Sequence, residues 1–177
     1  MTHYADIHRI EDLIEGLDQF TATPEQGTTR LTYSPEYAAA RDFVMTHMEH
    51  AGLKVRQDAV GNIFGRLAGR NPDLAPILVG SHLDSVPNGG RFDGPAGVIA
   101  GVETAYLFRD LGLQPERSID VVALIEEEGA RFGGGLLGSR ILTGVLDPAT
   151  LGDLCDDDGV SAADAMTAYG LDPQQAG

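Results

Sequence analysis

Two short apolar runs, each opening into a polar, glycine-rich loop, constrain the fold of this chain more than any other feature. The first is Pro76-Ile77-Leu78-Val79-Gly80 and the second is Ile119 to Ile125. Runs of this length bounded by turn residues suit strands covered on both faces. The segment from about Pro95 to Leu113, which lies between them, reads as a helix. Strand, loop, helix, strand is a βαβ unit. The expected fold class is therefore α/β, with a largely parallel sheet flanked by helices.

The rest of the chain fits around that unit. Ile7, Ile10, Leu13, Ile14 and Leu17 recur at helical spacing within Asp6 to Phe20, so an amphipathic helix is expected there. Ser34-Pro35-Glu36 opens a second helix: a hydroxyl N-cap, proline at the first helical position, an acid in the first turn. Its core face is Tyr37, Ala40, Phe43, Val44 and Met48, and Gly52 ends it. Lys54 to Val60 and Asn62 to Leu67 read as two strands joined at Gly61. Shorter helices are expected near Leu136 to Leu142 and from Ser161 to Tyr169.

Composition narrows the function. The chain has 177 residues, 27 acidic against 12 basic side chains, and a net charge of −15. Nucleic acid and anionic membrane surfaces demand clustered Lys and Arg, which this chain lacks, so neither is expected as a partner. No apolar stretch reaches the roughly 18 residues that span a bilayer. The amino terminus has no basic segment leading into an apolar one, so the expected location is cytoplasmic. Cys155 is the only cysteine, which excludes a disulfide framework and a cysteine-based zinc site. After Arg140 there is no basic residue while seven aspartates follow, from Asp147 to Asp172, and this reads as a solvated acidic end. Length alone suits one domain.

The two loops after the apolar strands hold the chemistry. The first contains His82, Asp84 and Asp93, and the second contains Glu126, Glu127 and Glu128. Sites in open α/β sheets form beyond the carboxyl ends of the strands, so the topology brings these residues toward one crevice. Imidazole and carboxylates are the usual ligands of zinc and related divalent ions. Asp84 is expected to diverge from His82 and to hold the second imidazole nitrogen with its carboxylate. Asp93 could bridge two metals. Adjacent glutamates also diverge, so one can ligate while its neighbour handles protons. Each residue has a plainer reading as well: a hydrogen-bonded structural histidine, a turn aspartate, a solvated glutamate run.

Longer strings around these residues resemble a known family. Gly80-Ser81-His82-Leu83-Asp84-Ser85-Val86-Pro87, Gly89-Gly90-Arg91-Phe92-Asp93-Gly94 and Glu127-Glu128-Gly129-Ala130-Arg131-Phe132 are similar to motifs of the M20 metal-dependent amidohydrolases. The likeness is to the branch holding N-carbamoyl-L-amino-acid hydrolases, allantoate amidohydrolases and β-ureidopropionases. Ser34-Pro35-Glu36-Tyr37, Asp58-Ala59-Val60-Gly61-Asn62 and Leu136-Leu137-Gly138-Ser139-Arg140 also fit it.

The resemblance implies a pair of divalent metals (zinc, manganese, cobalt or nickel), with His82 on one, Asp93 bridging and Glu128 on the other. It implies Glu127 as general base and Asp84 as the orienting carboxylate. Glu126, Arg131 and Arg140 receive no role. The implied reaction is hydrolysis of a ureido C–N bond in a small molecule, releasing the amine, ammonia and carbon dioxide. Members of the family are more than twice this length, bilobed and homodimeric, with two further histidine ligands downstream. None of His3, His8, His47 and His50 matches those ligands. Residues 1–177 are thus expected to be the amino-terminal part of a catalytic domain, inactive alone. The alternative is a non-catalytic remnant or interaction module.

Overall fold

The computed structural model describes residues 5–176, so the reading of His3 lies outside the described residues. Helix α1 (Ile7–Asp18) begins at Asp6, whose carboxylate accepts hydrogen bonds from the amides of His8 and Arg9. Helix α2 (Pro35–His50) is capped by the Ser34 hydroxyl, which accepts from the Tyr37 amide. Gly52 follows with φ +86°. That left-handed turn lets the Leu53 amide reach back to the Met48 carbonyl at 3.0 Å and close the helix. Tyr37, Ala40, Val44 and Met48 are buried as the spacing predicts, and Phe43 packs at the edge of the core.

Strands β1 (Lys54–Gln57), β2 (Ile63–Leu67), β3 (Ile77–His82) and β4 (Ile119–Leu124) form one sheet in the order β1-β2-β4-β3. The βαβ unit is present: β3 and β4 run parallel, joined through helix α3 (Pro95–Asp110). The other two ladders, β1 with β2 and β2 with β4, are antiparallel. The parallel character expected from the sequence is therefore confined to β3 and β4 in a mixed sheet. A hairpin adds its strands antiparallel because its short connection has no room for a crossover.

Helices α2 and α3 lie against the same face. Glycines admit them closely: a Cβ at Gly65 would meet Met48 Sδ at 2.9 Å, and one at Gly101 would meet Val121 Cγ1 at 2.7 Å. Helix α1 packs across α3, where the Arg9 guanidinium grips the buried Glu103 carboxylate at 2.6 and 2.9 Å. On the opposite face, Arg66 pairs with Asp120 in a two-pronged contact of 2.6 Å each, and the Arg56 guanidinium lies 3.9 Å from the Phe64 ring centre. Ile77 and Leu78 are about half exposed, so among the described residues β3 is an uncovered edge rather than a strand enclosed on both faces. An apolar run reads the same whatever covers it, which is why the sequence could not separate the two cases.

Beyond β4 come helix α4 (Leu137–Leu142) and helix α5 (Ala162–Ala168), with short 3₁₀ turns at Pro148–Gly152 and Pro173–Gln175. No helix among the described residues is long and apolar enough to cross a membrane.

Candidate functional site

His82 is the last residue of β3 and is 6% exposed. Its Nδ1 lies 3.0 Å from the backbone carbonyl of Asp84. A carbonyl can only accept, so Nδ1 carries the proton and the Nε2 lone pair is free to face the crevice. The Asp84 carboxylate takes no part in that hydrogen bond, because its nearer oxygen stands 3.7 Å away. It accepts instead from the amides of Glu127 at 3.2 Å and Glu128 at 3.1 Å. The expected carboxylate–imidazole contact is thus replaced by a carbonyl–imidazole contact. Nor does a strand pleat part the two side chains, since residues two apart share a face; the chain leaves the strand after His82.

Asp84 is 1% exposed. Burial pushes its carboxyl up to about 6, opposed by the Glu128 and Glu127 amides and by His82. Arg30, which the sequence reading passed over, backs this region. Its buried guanidinium donates to the carbonyls of Leu83, Leu17 and Phe20, and burial lowers it to about 10. The end of α1 is thereby tied to the strand end that carries His82.

Asp93 sits in the loop before α3 with its side chain 72% exposed, and its Oδ1 is 3.8 Å from His82 Nε2. Glu127 and Glu128 follow β4. One Glu127 oxygen is 3.6 Å from His82 Nε2, and the side chain is 38% exposed. His82, Asp93 and Glu128 each offer a ligand atom, all within 4.8 Å of one another. These separations exceed a hydrogen bond. The 3.8 Å between His82 Nε2 and Asp93 Oδ1 suits two donors about 2.0–2.2 Å from one cation, and the donor set is that of zinc and its neighbours. His8, on α1, and His47 and His50, near the end of α2, lie on other elements and are not members of this cluster.

The remaining motif strings act as scaffold. Asn62 is fully buried; its side chain accepts from the Ile125 amide at 3.0 Å and donates to Asp58 and to the Gly138 carbonyl. It joins the end of β4 to the start of α4, which brings the Asp58–Asn62 and Leu136–Arg140 strings together. Arg131 donates to the Thr32 carbonyl at 2.7 Å and to Asp156 at 3.1 Å, so part of the acidic end is docked rather than solvated. Among the described residues the Arg140 side chain donates to the Gly134 carbonyl alone, at 3.3 Å.

Gly94, the N-cap of α3, makes a sharp prediction. Its φ is +83°, and a Cβ there would lie 2.6 Å from the His82 carbonyl and 2.7 Å from two ring atoms. Gly94→Ala is expected to displace the imidazole and weaken metal binding by at least about tenfold, read by metal titration. An unchanged affinity would count against His82 as a ligand.

The His/Asp/Glu cluster lies at the strand ends of an α/β sheet, where folds of this class place their sites. The chain belongs to Peptidase family M28, whose model matches residues 62–151. It is 48% identical over 169 residues to an N-carbamoyl-L-amino-acid amidohydrolase of Paenarthrobacter aurescens, covering 96% of this chain and 41% of that protein. It is 39% identical over 172 residues to the allantoate amidohydrolase of Escherichia coli (strain K12), with 97% and 41% covered. A hydantoinase/carbamoylase family amidase from Burkholderia ambifaria superposes with a TM-score of 0.90 at 36% identity, over 94% of this chain and 41% of that one. The amidohydrolase branch expected from the motifs is the branch these relatives carry, while the matching family model is M28 and not the M20 of the motif resemblance. The chain spans about two-fifths of the length of the relatives it matches.

Proposed function

We propose that these residues form the amino-terminal part of a metal-dependent amidohydrolase that cleaves a ureido C–N bond in a small carbamoyl-amino-acid or allantoate-type substrate. The observation that carries this reading is the convergence of His82, Asp93 and Glu128, from three separate segments, to within 4.8 Å. His82, through Nε2, together with Asp93 and Glu128 would hold the metal. The metal, when bound, would polarise the substrate carbonyl and acidify water; zinc, manganese, cobalt and nickel all suit the donor set.

The chain's own residues do the rest. Asp84 holds the Glu127 and Glu128 backbone through their amides, which sets both side chains toward His82. Glu127, partly open to solvent, takes the proton of the attacking water and returns it to the departing nitrogen. The relatives are longer, and on this reading a polypeptide confined to residues 1–177 binds metal without turning substrate over. The further ligands and the dimer contact that the motif resemblance implies would come from the portion the relatives add.

Titration of the chain with Zn²⁺ and Mn²⁺ tests the ligand set. His82→Asn, Asp93→Asn and Glu128→Gln are each expected to lower affinity by at least about tenfold. Unaltered binding in all three would remove the basis of the proposal.

A further inference from the structure

Glu126 has no part in the chemistry above, yet it is fully buried, with a relative exposure of 0%. Its φ is +47°, a left-handed conformation that is strained for a residue with a Cβ. Such strain persists only where the surroundings hold the residue in place. Its amide donates to Thr32 Oγ1 at 3.2 Å and its carbonyl accepts from the Leu137 amide at 3.0 Å. Its Oε1 accepts from two more amides, Arg131 at 3.0 Å and Phe132 at 2.8 Å. Only Oε2 lacks a partner among the described residues. The side chain therefore folds back under its own loop and closes it.

Two buried carboxylates thus act on one turn. Asp84 holds its front through the amides of Glu127 and Glu128, and Glu126 holds its back through those of Arg131 and Phe132. Between the two clamps stand the glutamates that face His82. A buried amide that loses its acceptor is left unsatisfied, so removing Glu126 should release the back of the turn.

We propose that Glu126 is a positioning residue whose carboxylate, through the Arg131 and Phe132 amides, fixes the turn that aims Glu127 and Glu128 at His82 and Asp93. The consequence for metal rests on the ligand reading given above; the clamp itself does not.

Amide hydrogen exchange and Zn²⁺ titration on the whole chain test this, comparing Glu126→Gln, Glu126→Ala and Val44→Ala, a buried helix position remote from the loop. Glu126→Gln keeps an acceptor oxygen and is expected to keep both the amide protection and most of the Zn²⁺ affinity. Glu126→Ala should lose protection at Arg131 and Phe132 by at least about tenfold and Zn²⁺ affinity by about 10–100-fold. Val44→Ala, which loses stability without touching the loop, should change neither selectively. Unchanged protection in Glu126→Ala, or equal loss in Val44→Ala, overturns the proposal. If the wild-type chain takes up no Zn²⁺, the ligand reading fails and exchange alone decides the clamp by the same two outcomes. If Glu126→Ala does not fold, Glu126→Asp, which draws the acceptor back from the amides, replaces it; loss in Asp but not in Gln supports the clamp, and equal behaviour overturns it.

Discussion

Glu127→Gln is expected to lower ureido-bond hydrolysis by about 10²–10⁴-fold while leaving the metal in place. The amide side chain keeps the shape of the carboxylate but cannot take a proton from water at neutral pH. The backbone of residue 127 stays where it is because the Asp84 carboxylate holds its amide, 3.2 Å away, whatever the side chain. The ligands proposed above are His82, Asp93 and Glu128 and do not include Glu127, so metal affinity should survive the change. The assay needs a polypeptide carrying these residues together with the segment that the relatives add, supplied with a carbamoyl amino acid or allantoate. Metal content is measured in parallel. Turnover near the wild-type rate would end the assignment of Glu127 as base; loss of metal together with turnover would make it a ligand instead.

Gly80→Ala is the change with the largest expected effect on stability. Gly80 pairs with Val122 across the parallel β3–β4 ladder, and its φ is +147°. A Cβ built there would run into the Val122 backbone carbonyl, an atom that cannot swing aside as a side chain can. Relief requires β3 to move away from β4, which breaks ladder hydrogen bonds next to the clash. Strain of roughly 1–3 kcal/mol and at least one lost buried hydrogen bond at about 1–3 kcal/mol make about 4 kcal/mol a fair expectation. Urea unfolding measures it directly. A loss below about 1 kcal/mol, the ordinary size for a point change, would mean that the two strands are less tightly apposed. His82 lies two residues further along the same strand, so metal affinity should fall with stability even where the variant still folds.

Much of the scaffold was legible residue by residue. The Ser34-Pro35 start and Gly52 stop of α2 were readable because caps are local: a hydroxyl, a ring and a left-handed turn act within a few residues. The βαβ unit was readable because an apolar run bounded by turn residues marks each strand separately. The antiparallel attachment of β1 and β2 and the uncovered edge of β3 were not, since pairing and cover depend on what else packs nearby. The site was legible as a set of residue types beyond two strand ends. Arg30 and Thr32 were missed because nothing in their neighbours marks them, and Asn62 was visible only as the end of a motif string. Each becomes significant only through partners tens of residues away: Leu83, Glu126 and Ile125.

Residue order alone determined which atoms could do chemistry here: one imidazole and several carboxylates, carried on loops that follow apolar strands. Three-dimensional packing decided what each of them does. His82 presents Nε2 because a backbone carbonyl occupies Nδ1, and Asp84 turns from the imidazole to the amides of the neighbouring loop. Residue identity sets which groups can donate, accept or ligate. Only the folded backbone sets which donor lies within 3 Å of which acceptor, and a hydrogen bond exists or fails on that distance.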